Sequence, residues 1–254
     1  MSQTESPQTD QPEQDMDDLA ALQAQIQELQ VELEDMQLLY ETTMEHGTSL
    51  ENELVRQNEQ ITALQGKMRK YLSPQLYQAL VGGAAEANTK SHKRTKLTVY
   101  FSDMVGFSSL TDAIEPELLS EVLNTYLTRM SEIALHYGGT IDKFVGDAVM
   151  VFFGAPEPMN DAEQARRAVQ MALDMRQALY ELREVWKKKG ITRLLQIRAG
   201  INTGICTVGN FGSEHRMDYT IIGGQVNIAA RLESAAHADG IYISSATYAL
   251  VEDV

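Results

Sequence analysis

An α+β domain built on an antiparallel sheet, preceded by a helical coiled coil, is the fold class that three observations predict. Between Leu97 and Ile201 apolar runs and helical patterns follow the order strand, helix, strand, strand, helix, strand. Breakers punctuate that order: Gly138-Gly139 stops the first helix, and Pro156 and Pro158 precede the second. From Leu19 to Tyr71, by contrast, apolar residues recur at alternating steps of three and four. The βαββαβ order is ferredoxin-like, in which helices are expected to cover one face of the sheet.

Taken in order, residues 1–16 are rich in Gln, Pro, Asp, Glu and Ser, with too little apolar surface to fold, and are expected to be disordered. Residues 17–71 form the coiled-coil segment. Leu19, Leu22, Ile26, Leu29, Leu33, Met36 and Tyr40 make a heptad seam, resumed by Leu50, Leu54, Ile61, Leu64, Met68 and Tyr71. Thr43, Gly47 and Gln57 interrupt it. Gly47 is a poor helix former and Thr48-x-x-Glu51 has the form of a capping box, so a break is expected near 46–48. The partner of such a seam is a second helix, most simply that of a parallel homodimer. Its polar intrusions suit either signal transmission or register specification.

Residues 72–95 read as a short helix and linker. Ser73 and Pro74 open the helix, and Gly82-Gly83 end it. The globular domain occupies 96–254: strand 97–102, helix 115–137, strands 139–145 and 148–153, helix 160–189 and strand 195–201. A strand or hairpin around Ile205–Val208, a flexible Gly209–Ser213 turn, strand Tyr219–Ile222, helix 224–236, strand Ile241–Ile243 and helix Ser245–Val251 follow.

Composition excludes several classes. Of 36 acidic and 21 basic side chains, fifteen acids and one Arg fall in residues 1–64, so this arm carries nearly all of the net charge of −15. The rest is almost neutral, with no basic nucleic-acid footprint. The one basic cluster, Lys90–Lys96, reads as solvated linker. No apolar run approaches the roughly 20 residues of a membrane helix, and Met1–Asp18 lacks the apolar stretch of a signal peptide. Cys206 is the single cysteine, so no intrachain disulfide forms; a reducing, cytoplasmic setting is the expectation.

Within the domain two acids stand out. Asp103 ends the strand Leu97–Ser102, and Asp147 sits at the tip of the Val145-Gly146-Asp147 hairpin turn. If their strands are neighbours, both carboxylates emerge at one sheet edge, where oxygen ligands suit a pair of hard divalent cations, Mg²⁺ or Mn²⁺. Singly, each has an ordinary alternative: Asp103 as a helix cap and Asp147 as turn chemistry. Farther on, Gly223-Gly224 opens a helix with Asn227 and Arg231 four apart on one face. An amide and a guanidinium there suit a ribose and a phosphate, or simply a solvated surface.

Three stretches resemble the class III nucleotidyl cyclase catalytic domain, in the family's order, over roughly Lys96 to Val254. They are Phe101-Ser102-Asp103-Met104-Val105-Gly106-Phe107-Ser108, Asp142-Lys143-Phe144-Val145-Gly146-Asp147-Ala148 and Gly223 to Glu233. The resemblance implies the fold and a set of roles. Asp103 and Asp147 match the metal-binding aspartates, Lys143 and Thr220 the purine-reading pair, Asn227 the ribose-orienting residue and Arg231 the transition-state residue. Backbone around Gly106, Phe107 and Ser108 matches the phosphate cradle, with Arg216 a further phosphate candidate. It also implies ATP as substrate, two divalent cations, and a homodimer whose two protomers share each site.

Lys143 donates only, while Thr220 donates or accepts. Adenine N1 accepts and its N6 amine donates, so the pair satisfies adenine; guanylate members of the family carry Glu and Cys here. Many adenylate members have Asp where this chain has Thr220, and the Lys/Thr version resembles the subgroup often stimulated by bicarbonate. The family domain continues into a hairpin bearing a triphosphate-binding Lys, and the sequence stops at Val254 before it, implying a truncated end. The rival readings are a catalytically silent cyclase-homology module and a guanylate cyclase. A diguanylate cyclase is disfavoured because its Gly-Gly-Asp/Glu-Glu-Phe turn is missing.

Overall fold

A computed structural model describes residues 11–71, 77, 92–213 and 216–252. Two units divide the chain near Met68 and Arg69. The first is one helix, α1 (Gln11–Tyr71), of 61 residues. Helix is therefore already present over 11–16, where disorder is expected, and it runs through 46–48 without the expected break. The reason is local. Thr43 Oγ1 donates to the Leu39 carbonyl at 2.7 Å and Thr48 Oγ1 to the Met44 carbonyl at 2.9 Å. These hydroxyls bond back within the helix, so Thr48 is not an N-cap. The described seam residues are all exposed, including Leu29, Leu33, Leu54 and Leu64.

The second unit is the sheet domain. In chain order it contains β1 (His92–Val105), α2 (Phe107–Thr111), α3 (Pro116–His136), β2 (Thr140–Val145), β3 (Ala148–Phe153) and α4 (Asp161–Lys188). Then come β4 (Gln196–Ser213), β5 (Arg216–Ile222), α5 (Gly224–Ala235), β6 (Ile241–Ile243) and α6 (Ser245–Tyr248). The sheet order is β2-β3-β1-β4-β5, all antiparallel, with β6 added parallel to β4. Most of the expected short helix and linker over 72–91 lies outside the described residues.

Helix limits follow their caps. Pro116 opens α3, where a missing N–H costs nothing. Asn160 Oδ1 accepts from the Glu163 N–H at 2.8 Å to cap α4, whose first turn is acidic and last turn basic.

Three expectations are corrected. β4 is one strand through 202–213, not a strand, a hairpin and a flexible turn, because it has partners on both sides: His92–Leu97 of β1 and then β5. The same pairing draws His92–Lys96 out of the expected linker into β1. Helices also cover both faces of the sheet. Adjacent residues on a strand point to opposite faces: Tyr100 packs with Tyr126, Met130, Met175 and Leu179 under α3 and α4, while Val99 packs with Phe152, Ile221 and Ala229 under α5.

Candidate active site

The register of β1 sets one group of residues. Ser102 pairs with Val149 of β3, so Asp103 lies level with the β2–β3 turn that carries Asp147. Gly146 has φ 63°, the left-handed conformation that turn requires. Asp147 Oδ2 accepts from the Met104 N–H at 2.9 Å, which ties the hairpin tip to the end of β1. The two carboxylates thus share one edge, as expected. Burial pushes the Asp147 carboxyl up to about 6, the Met104 bond opposes the rise, and the Asp103 charge adds to it.

The helix-cap alternative for Asp103 fails, because α2 is capped by Gly106 with no side-chain bond. Asp103 instead accepts from Arg198 Nη2 at 2.9 Å. Arg198 Nε also lies 2.7 Å from Glu233 Oε1 on α5, in ion-pair contact without hydrogen-bond alignment. Nothing in the sequence marks Arg198 or Glu233 as partners of Asp103: alternation along β4 and a place on α5 give no chemical signal by themselves. Among the described residues no third His, Cys, Asp or Glu joins the two aspartates. Two mutually repelling carboxylates fit a hard divalent cation that completes its shell with water and phosphate oxygens, so the donor set suits Mg²⁺ or Mn²⁺.

Beside them, Gly106 adopts φ 86° and starts the five-residue α2. Phe107 is buried in the core and Ser108 is exposed, so the cradle expected here is backbone, with the Phe107 ring as its anchor.

Lys143 and Thr220 form the second group. They belong to β2 and β5, opposite ends of the strand order, which the curl of the sheet brings together. Phe152 of β3 meets Tyr219 of β5 with ring centroids 6.2 Å apart. Between them lies Asp142: its Oδ2 accepts from Thr220 Oγ1 at 2.9 Å and sits 3.7 Å from Lys143 Nζ. Burial raises the Asp142 carboxyl, with Thr220 and Lys143 opposing and Asp218 adding to the rise.

The third group is the exposed face of α5. Asn227 and Arg231 both stand exposed, with no hydrogen bond or ion pair to Asp103, Asp147, Lys143 or Thr220 among the described residues. α5 lies close on β4 because Gly200 has no side chain: a Cβ there would come within 2.2 Å of the Ala229 carbonyl and the Glu233 N–H. Asn202 Nδ2 donates to the Gln225 carbonyl at 2.8 Å, fixing the start of α5. Arg216 opens β5 opposite Ser213; its side chain is outside the described set.

The Asp103–Asp147 edge, the Lys143–Thr220 pair with Asp142 and the exposed face of α5 thus occupy three regions of one domain. Residues 89–254 match the adenylate and guanylate cyclase catalytic domain. The chain belongs to this family. Similarity extends to the adenylyl cyclase CyaB from P. aeruginosa, whose crystal structure is 57% identical with a TM-score of 0.64, over 65% of this chain and 84% of that one. The guanylyl cyclase Cya2 is 40% identical with a TM-score of 0.60, over 63% and 80% of the two chains. Adenylate cyclase 1 of Rhizobium meliloti is 32% identical over 140 residues, 55% of this chain; the chain spans 21% of that protein's length. Cyclase domains of this family bind nucleotide, generally dimerise and generally use divalent metal ions. No helix among the described residues is long and apolar enough to cross a membrane.

Proposed function

We propose that this chain is an adenylate cyclase that converts ATP to 3′,5′-cyclic AMP and pyrophosphate at a homodimer interface. The observation that carries the reading is the meeting of Lys143 and Thr220 across the curled sheet, at one buried carboxylate. Lys143 donates to N1 of adenine and Thr220 meets the N6 amine.

Asp103 and Asp147 would hold two divalent cations. Cations held by these two carboxylates would supply acidification of the ribose 3′-hydroxyl and neutralisation of the triphosphate. Asn227 orients the ribose, and Arg231 forks onto the α-phosphate oxygens as charge builds there. The backbone of Gly106–Ser108 lines the phosphates, and Arg216 adds a cation to them. Catalysis is then positioning plus charge stabilisation as the 3′-oxygen attacks the α-phosphorus and pyrophosphate leaves.

The exposed seam of α1 supports a parallel coiled coil as one half of the dimer. Exposed Phe144, Val145, Ile205 and Ile222 on the domain support the other half. The deciding test is formation of cyclic AMP from Mg-ATP or Mn-ATP beside cyclic GMP from GTP. Cyclic AMP formation with strong ATP preference supports the reading. Equal use of both nucleotides refutes the base assignment, and no turnover of either favours the silent module. An added bicarbonate arm reads the regulation implied by the Lys/Thr pair: stimulation supports it, and an unchanged rate removes it.

A further inference from the structure

Thr220 is ambiguous on its own, because a hydroxyl presents one proton and two lone pairs and either can face a ligand. Asp142 removes the ambiguity. Its side chain is 1% exposed although its neighbour Lys143 is 47% exposed, so one member of this charged pair points inward and the other out. An ionised carboxylate can only accept, and Oδ2 accepts the Thr220 proton at 2.9 Å. With that proton committed inward, the hydroxyl has only lone pairs left to offer outward. Among the described residues Oδ1 of Asp142 is buried with no hydrogen-bond partner, so none of them offers a donor that competes with Thr220 and Lys143.

We propose that Asp142 is a specificity-determining positioning residue, which fixes Thr220 as an acceptor and thereby makes the base edge read donor at Lys143 and acceptor at Thr220. This rests on the adenylate cyclase reading above and adds to it the residue that sets the direction of the hydrogen bond. Adenine fits such an edge, with N1 accepting from Lys143 and the N6 amine donating to Thr220. Guanine in the same orientation opposes donor to donor at N1 and acceptor to acceptor at O6. Asp142 touches no reacting atom, and its effect passes through Thr220.

The experiment measures kcat/KM for ATP, GTP and purine riboside triphosphate, which keeps N1 and lacks the 6-amino group. The proteins are the unmodified chain, Asp142→Asn, Asp142→Ala, Thr220→Val and Asp142→Asn/Thr220→Val. In the unmodified chain ATP should exceed purine riboside triphosphate by about tenfold or more, the worth of one hydrogen bond to a site that otherwise leaves an acceptor unpaired. Asp142→Ala frees the hydroxyl to donate, so the ATP-to-GTP ratio should fall by a similar roughly tenfold factor. Asp142→Asn, able to donate as well as accept, should lower it part of the way. In the Thr220→Val background Asp142→Asn should leave the ratio where it was. A merely structural role would lower turnover of all three nucleotides together and spare the ratios.

Unchanged ratios in both Asp142 variants, or a further fall on the Thr220→Val background, overturn the proposal. If the Asp142 variants do not fold, the unmodified chain and Thr220→Val still decide it. Equal use of ATP and purine riboside triphosphate by the unmodified chain shows that Thr220 does not accept from the base. Failure of the underlying reading has a different signature: the unmodified chain then makes no cyclic AMP or prefers GTP, before any variant is measured.

Discussion

The charge of single side chains decides most of the chemistry proposed here. Asp103 and Asp147 repel each other at one sheet edge, and Arg198 offsets the first while the Met104 N–H steadies the second. Replacing either aspartate with Ala should cut turnover by at least about a hundredfold, with circular dichroism and association unchanged. Near-normal rates for Asp147→Ala in Mn-ATP would remove that residue from metal binding. Cys206 gives a contrasting case. It is 1% exposed, and burial pushes its thiol up to about 11, so little thiolate exists at pH 8. Labelling by a thiol-specific disulfide reagent should therefore track unfolding, and fast labelling of the native protein would contradict this environment. Asp103, Asp147, Lys143, Asn227 and Arg231 stand out as candidates in the sequence because they lie beside Gly turns or at helical spacing in stretches that resemble a known family. Asp142, Arg198 and Glu233 do not, since their partners lie far along the chain and only the folded register reveals them.

At the scale of elements, strand and helix order was readable, and pairing partners corrected the rest. Gly209 and Gly212 made residues 209–213 look like a turn, yet flanking strands supply enough hydrogen bonds to hold them extended. Likewise Gly47 does not break α1, since one glycine costs about 1 kcal/mol in a helix and 61 residues of ladder surround it. Gly200 works differently, through space. A Cβ there would meet helix backbone within 2.2 Å, so Gly200→Ala must push α5 off β4. Overpacking of this kind costs about 1–3 kcal/mol or more. The variant should lose thermal stability and, through displaced Asn227 and Arg231, lose turnover more than it loses ATP affinity. A stable Gly200→Ala protein with unchanged kcat would show that the close seating of α5 is not needed for the site.

At the scale of the whole molecule, the proposed function requires a second copy of the chain. The helix of α1 was legible in sequence from its 3–4 apolar spacing, and its described seam residues are exposed. Removing residues 1–70 should weaken association and lower activity at dilute protein, as read by sedimentation and dilution series. A monomeric full chain at micromolar concentration would end the coiled-coil reading. The sharing of each site is tested separately. If one protomer supplies Asp103 and its partner supplies Arg231, Asp103→Ala and Arg231→Ala homodimers should both be nearly inactive. Mixed and allowed to exchange, they form heterodimers in which one site carries both defects and the other carries none. A two-fold axis repeats every contact, so with random exchange half the dimers are mixed and activity should return to roughly a quarter of normal. A mixture that stays inactive after exchange has been shown directly would place the site within one chain, or make the two sites interdependent. Activity in either single variant alone would remove that residue from its assigned role.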